Sequence, residues 1–167
     1  STSGSKIGLT QEALNVSLYS RKVLIKQNAE ELLPPYLCFV KGVIDCEDLP
    51  LNISRETYQD SSLIRKLQKI VTRRFLKMLD DESKKDPVKY NQWFKQFGNN
   101  LKAGVQSDPD NKEAIFKLLR FLGTFSEKRD EMISLDHYVD AMKTGQTKIY
   151  FSLSQTRDGV EASPFYE

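Results

Sequence analysis

Between Ser61 and Lys85 the residues repeat with the period of an α-helix, and that repeat limits more than any other feature what the chain can fold into. At about 100° per residue, Leu63, Ile64, Leu67, Ile70, Val71, Phe75, Met78 and Leu79 fall within an arc of roughly 180°. Arg65, Lys66, Lys69, Arg73 and Lys77 fill most of the remainder. One side of such a helix must be covered by another layer and the other side is basic. Leu76 lands on the basic side, so part of that side is expected to be covered as well.

The flanking segments supply the layers. Val16 to Lys26 alternates and then runs into β-branched residues, which predicts a strand buried at one end, and Lys41 to Asp45 predicts a second. Between them Asn28 is expected to cap a short helix interrupted by Pro34-Pro35. Two strands with a short crossover suggest a parallel or mixed sheet, but two strands make a poor sheet alone, so this half reads as the tail of a larger α/β layer. Beyond the long helix, Asp86-Pro87 opens another at about 87–105, with Tyr90, Trp93, Phe94, Phe97 and Leu101 on one stripe. Such a stripe reads as core, with an aromatic surface that binds another protein or a cofactor as the sharper alternative, and Gly98-Asn99-Asn100 is expected to weaken its middle.

Ser107-Asp108-Pro109-Asp110 breaks the pattern. Asp110 with Glu113 resembles a capping box for a short helix, followed by a strand over 120–125, a helix capped by Ser134 and stopped by Gly145, a strand over 148–153, and a last short helix reaching Ala162. The fold class is therefore mixed α/β: strands at about 16–26 and 41–45, long helices at about 61–85 and 87–105, then a small α/β sandwich. The expected organisation is a disordered or non-native tail over 1–14, the C-terminal part of a larger α/β unit over 15–106, and a small α/β subdomain over 107–167.

Composition removes several function classes. Twenty-five basic residues against 23 acidic leave a net charge of only +2, too little to hold nucleic acid or a membrane by bulk field. No run approaches the roughly 18 to 20 apolar residues that cross a bilayer, and no targeting segment is evident. Cys38 and Cys46 lack metal-ligand spacing and read as buried or half-buried thiols; with His137 the single histidine, a zinc site or a histidine-based nucleophile is not expected, and no metal site is assigned. Phosphate-binding glycine motifs are missing too, so a self-contained enzyme is not expected.

The polar stretch from Asp45 to Asp60 carries one cation, Arg55, among the carboxylates Asp45, Glu47, Asp48, Glu56 and Asp60. It sits between the second strand and the long helix, a polar loop on a rigid frame. From the residues alone Arg55 either pairs locally with Glu56 or Asp48, or is donated to a phosphate held elsewhere, where a planar guanidinium takes two oxygens at once.

Leu18-Tyr19-Ser20-Arg21-Lys22-Val23-Leu24-Ile25 and Gly42-Val43-Ile44-Asp45-Cys46-Glu47-Asp48-Leu49-Pro50-Leu51-Asn52-Ile53-Ser54-Arg55-Glu56 closely resemble the middle segment of the ninety-kilodalton heat-shock chaperones. Lys112 to Phe121 and Gly145 to Phe151 extend the match. Thr57 to Ser61 and Tyr90 to Gly98 look like the bacterial and organellar branch. Cys46 stands where serine is usual and Tyr58 where an aliphatic is usual.

The resemblance implies a fragment of an ATP-dependent chaperone, not an enzyme by itself although its parent would be an ATPase. ATP and magnesium would be held by a separate N-terminal domain, with no cofactor in this segment. Arg55 matches the family's arginine that reaches the γ-phosphate, and Gln59 the glutamine beside it. The implied partners are that N-terminal domain, client proteins and, in some members, a co-chaperone, within a homodimeric parent in a bacterial cytoplasm or an organelle. Ser62, Arg65, Lys66 and Lys69, which adjoin the loop, are expected to dock protein and not nucleic acid, because the loop's carboxylates would repel a phosphate backbone. The competing expectation is a stand-alone protein- or nucleic-acid-binding module using the basic helix.

Overall fold

The strand expected over 16–26 folds back on itself. In the computed structural model, which describes residues 15–47, 61–124, 131–154 and 156–164, β1 (Asn15–Ser20) and β2 (Val23–Lys26) are antiparallel and joined through Arg21 and Lys22, with φ of 47° and 68°. Two successive left-handed residues form the tight turn whose twist suits a hairpin, and Asn-Gly is its usual sequence signal. Arg-Lys carries no such signal, so the hairpin is invisible in the residues. A bulge lies between Leu18 and Tyr19.

β3 (Lys41–Asp45) runs parallel to β1 from the pair Asn15 and Lys41 to the pair Tyr19 and Asp45, giving a mixed sheet in the order β2-β1-β3. On central β1 the buried residues Val16, Leu18 and Ser20 alternate, as one covered face of a strand requires. The crossover holds two 3₁₀ turns, Glu30–Leu32 and Pro35–Leu37, and Ala29 N–H donates to the Val16 carbonyl at 2.8 Å. Asn28 is not the expected cap: it is left-handed (φ 51°), and Ala29 precedes the turn with no side-chain cap.

The chain divides into two compact units, 1–74 and 75–167, and the division falls within α1 (Ser61–Lys85). This helix has the expected bounds but does not keep one apolar stripe. Leu67 joins the first unit's core with Leu18, Ala29 and Leu32, whereas farther along Thr72, Leu76, Leu79 and Ser83 are the buried positions. Nine residues at about 100° each put Leu67 and Leu76 on opposite sides. Leu76, 2% exposed, is indeed covered, while Ile70 and Met78 are exposed.

In the second unit α2 (Pro87–Ser107) opens as expected, the Asp86 carboxylate accepting from Lys89 N–H at 3.0 Å. Tyr90, Phe94 and Leu101 are buried and Trp93 and Phe97 half-buried, so the aromatic stripe is core. Gly98 does not break the helix. The Phe94 ring lies over it, and a Cβ there would meet ring carbons at 2.7 to 2.9 Å. The expected Asp110 cap does not form: Asp108 caps a 3₁₀ turn, Pro109–Asn111, its carboxylate accepting from Asn111 N–H at 3.3 Å and from Asn111 Nδ2 at 2.8 Å, and the helix that follows starts after Asn111 with no side-chain cap.

α3 (Lys112–Leu118) buries Ile115 and Leu118. The strand expected over 120–125 contracts to β4 (Phe121–Leu122), paired antiparallel with β5 (Met132–Ile133). Ser134 Oγ accepts from His137 N–H at 3.1 Å and caps α4 (Leu135–Asp140) as expected, although the helix stops well before Gly145. Residues 148–153 form no strand despite their alternation, and α5 (Arg157–Glu161) follows with Thr156 as its cap. Cys38 is exposed rather than buried and Cys46 is half-buried; both are free thiols.

Candidate functional site

The stretch that singled itself out in the sequence leaves β3 at Asp45 and re-enters described structure at Ser61. Arg55 and Gln59 lie outside the described residues. Both flanks are well placed. Ile44 and Cys46 on the way out, and Leu63 and Ile64 on the way back, pack against one cluster formed by Leu18, Ala29, Leu32 and Leu67. A single core therefore holds the two ends of the loop, and dense apolar packing permits little relative movement.

Two hydrogen bonds tighten the departure. Cys46 N–H donates to the Tyr19 carbonyl at 2.9 Å, extending the β1 pairing one residue past β3. Lys22 N–H donates to the Asp45 carboxylate, at 3.2 Å from Oδ2 and 3.5 Å from Oδ1. Sequence reading counted Asp45 only as one of five carboxylates. Its partner is a backbone amide 23 residues away, made available by a turn with no sequence signature.

The first turns of α1 carry the other candidates. Ser62, Arg65, Lys66 and Lys69 are all exposed, and at about 100° per residue they occupy an arc of roughly 100°. They form one basic face directly after the loop. His137 lies in the first turn of α4, its N–H engaged by Ser134. Among the described residues no cluster of histidine, cysteine, aspartate or glutamate could hold a metal ion, and no helix is long and apolar enough to cross a membrane.

The second unit has a cleft of about 810 Å³ that sequence reading did not foresee. Phe94, Phe116 and Phe121 contribute to its wall, along with residues 149–154. Among the described residues its charged lining is Lys95, Lys102, Arg120 and Arg157. Phe151 and Leu153 are 84% and 92% exposed. The alternation of Ile149, Phe151 and Leu153 predicts a strand, but among the described residues the segment has no pairing strand.

The chain is similar to known proteins over nearly its whole length. A family profile described as Hsp90 protein matches residues 6–167. Chaperone protein HtpG of Desulfitobacterium hafniense is 46% identical over 162 residues, covering 97% of this chain and 26% of the relative. Chaperone protein HtpG of Klebsiella pneumoniae is 47% identical over 91% of the chain and 24% of its own length. The mitochondrial TNF receptor-associated protein 1 homolog of Dictyostelium discoideum is 44% identical over 97% of the chain and 23% of its own. The chain thus spans about a quarter of the length of these relatives.

Proposed function

Because the chain belongs to the Hsp90 protein family, on its bacterial and organellar branch, we propose that it acts within a longer ATP-dependent chaperone by presenting Arg55 to the γ-phosphate of ATP. The nucleotide and its magnesium are held by a separate N-terminal domain, and this segment contributes no nucleotide site of its own. Arg55 arrives when the two domains close. Its guanidinium takes up charge on the phosphoryl oxygens as water attacks phosphorus and the bond to the β-phosphate oxygen breaks. Gln59, four residues on, lies in the same loop and assists as a neutral hydrogen-bonding partner. The exposed face of Ser62, Arg65, Lys66 and Lys69 is the protein-docking surface beside the loop, for the N-terminal domain or a co-chaperone.

The observation that carries this reading is the single core under both ends of the loop. An arginine recruited from another domain is useful only if it reaches the phosphate in a defined geometry, and a loop rooted at both ends on one packed cluster restricts where it can go. The exposed apolar residues of the second unit's cleft support contact with further polypeptide, either client protein or more of the parent chain. The parent is expected to be a homodimer in a bacterial cytoplasm or an organelle, in keeping with the bacterial and mitochondrial relatives.

The test is steady-state ATP hydrolysis with nucleotide affinity, in a protein containing the nucleotide domain, this segment and the dimerisation domain. Arg55→Ala removes a charge-assisted pair worth about 1.5 to 3 kcal/mol, so turnover is expected to fall roughly ten- to hundredfold with affinity unchanged. Arg55→Lys recovers part, keeping charge but losing the two-pronged geometry, and Gln59→Ala has the smaller effect. Full turnover in Arg55→Ala, or ATP affinity lost in proportion to rate, overturns the reading.

A further inference from the structure

We propose that the cleft of the second unit takes an acidic segment of client polypeptide, whose carboxylate pairs with the Arg120 guanidinium while its apolar side chains cover Phe151 and Leu153; this deepens, and rests on, the reading of that cleft as a contact for further polypeptide, and is independent of the role of Arg55. Arg120 is only 8% exposed, yet it lines the cleft. Its Nη1 is taken up by the carbonyls of Lys117 and Leu119. Nε and Nη2 have no hydrogen-bond partner among the described residues, and neither is fully enclosed. Among the described residues no carboxylate comes within ion-pair distance of Arg120. The Tyr90 ring lies against one face of the guanidinium, so an incoming anion meets the nitrogens at its edge. Burying a cation without a carboxylate is costly, and an anion brought to it offsets that cost.

The rest of the wall fits a carboxylate carried on polypeptide rather than a free ion. On α2, Lys95 and Lys102 are seven residues apart, close to two helical turns, and so line the same side of the cleft. Both are exposed, and neither makes an ion pair among the described residues. Arg157, by contrast, is engaged by Glu161 and by the Thr124 carbonyl. Three cations without carboxylates of their own therefore share one cleft, and they favour a negative partner. Apolar surface narrows the choice further. Phe116 and Phe121 lie on the wall, and the segment 149–154, which has no pairing strand among the described residues, leaves Phe151 and Leu153 largely exposed. A polypeptide can lie along such a segment, pairing its backbone groups and covering the apolar side chains with its own. An inorganic anion would satisfy Arg120 and leave those side chains in water.

The experiment follows fluorescence anisotropy of short labelled peptides with this chain and with the full-length parent. One peptide has a central glutamate flanked by valine and phenylalanine, a second has glutamine in its place, and a third keeps the glutamate but replaces the apolar residues by serine. The first is expected to bind roughly ten- to hundredfold more tightly than the second, the range for a charge-assisted pair, and to weaken with added salt. Lys95→Glu/Lys102→Glu, which changes only exposed side chains, is expected to weaken it roughly three- to tenfold. Phe151→Ser weakens the glutamate and glutamine peptides alike. Arg120→Gln levels the two peptides; if that variant unfolds in a thermal melt, the lysine pair decides alone, and unchanged affinity in Lys95→Glu/Lys102→Glu overturns the proposal. Equal affinity for glutamate and glutamine peptides also overturns it, while leaving the cleft a contact for polypeptide; binding of no peptide overturns both. The serine peptide binding as tightly as the first marks a simple anion site and overturns it. Binding to this chain but not to the parent means that the parent's own polypeptide fills the cleft, which overturns it as well.

Discussion

The Arg120 guanidinium lies over the Tyr90 ring, 4.5 Å from its centroid, in the interior of the second unit. Arg120 is 8% exposed, and its Nη1 donates to the carbonyls of Lys117 and Leu119 at 3.0 and 2.9 Å. Tyr90 is 4% exposed and donates its hydroxyl to the Leu118 carbonyl at 2.8 Å. The pair thus satisfies three consecutive carbonyls where α3 ends, groups that a helix C-terminus leaves without partners of its own. Burial pushes the Tyr90 phenol well above its ordinary range; nearby Arg120 opposes that shift and Asp80 adds to it. Burial likewise lowers Arg120 from its usual value, against the opposing pull of Tyr90, Asp80 and Asp136.

The sign of the pH effect follows from the raised phenol. Below about pH 10, the ordinary value for tyrosine, Tyr90 is neutral in both folded and unfolded chains and contributes no slope. Above it the unfolded chain releases the proton while the folded chain keeps it, so stability is lost as pH rises. Tyr90→Phe is expected to cost about 1 to 2 kcal/mol at neutral pH through the orphaned Leu118 carbonyl, and the penalty should shrink above about pH 10. Urea denaturation of both proteins between neutral pH and the alkaline range checks this; a penalty that grows with pH contradicts it.

Gly98→Ala should destabilise the protein although alanine is the better helix former. The propensity gain is about 1 kcal/mol, but the new methyl meets the Phe94 ring at 2.7 to 2.9 Å, and that ring is itself buried. Overpacking of this kind costs typically 1 to 3 kcal/mol, about the propensity gain or more. In a double-mutant cycle followed by thermal denaturation, Gly98→Ala should cost less in a Phe94→Leu background than in the parent, since the smaller side chain removes the clash.

Replacing Arg21-Lys22 by Asn-Gly is expected to stabilise the first unit by about 1 kcal/mol, because both positions are left-handed and the new residues reach that region with less strain. The amide that Asp45 accepts from is retained, so that hydrogen bond should survive. Chemical denaturation measures the stability. A destabilised double variant means that the cationic side chains, and not the backbone, hold this turn.

Much was legible without coordinates wherever the controlling interaction was local. Helix α1 was bounded by its own periodicity, α2 by the Asp86-Pro87 start, and α4 by the Ser134 hydroxyl reaching an amide three residues ahead. The stretch that holds Arg55 and Gln59 stands out in the sequence because its motif is contiguous in the chain. Such features depend on residues within a few positions of one another, and spacing in sequence is then spacing in space.

What only the tertiary structure decided depended on distant segments. The turn at Arg21 and Lys22 has no local signal, and the Asp45 carboxylate that meets it comes from 23 residues away. Residues 148–153 alternate as a strand does, but a strand exists only by pairing, and among the described residues nothing pairs with them. By propensity Gly98 weakens the middle of its helix; only the fold shows that the Phe94 ring occupies the space of its missing side chain. The apolar arc of α1 implied one buried face, yet Leu67 and Leu76 are buried on opposite sides. Periodicity determines which residues can share a face of a helix; which of those faces is covered, and where along its length, is set by the segments packed against it.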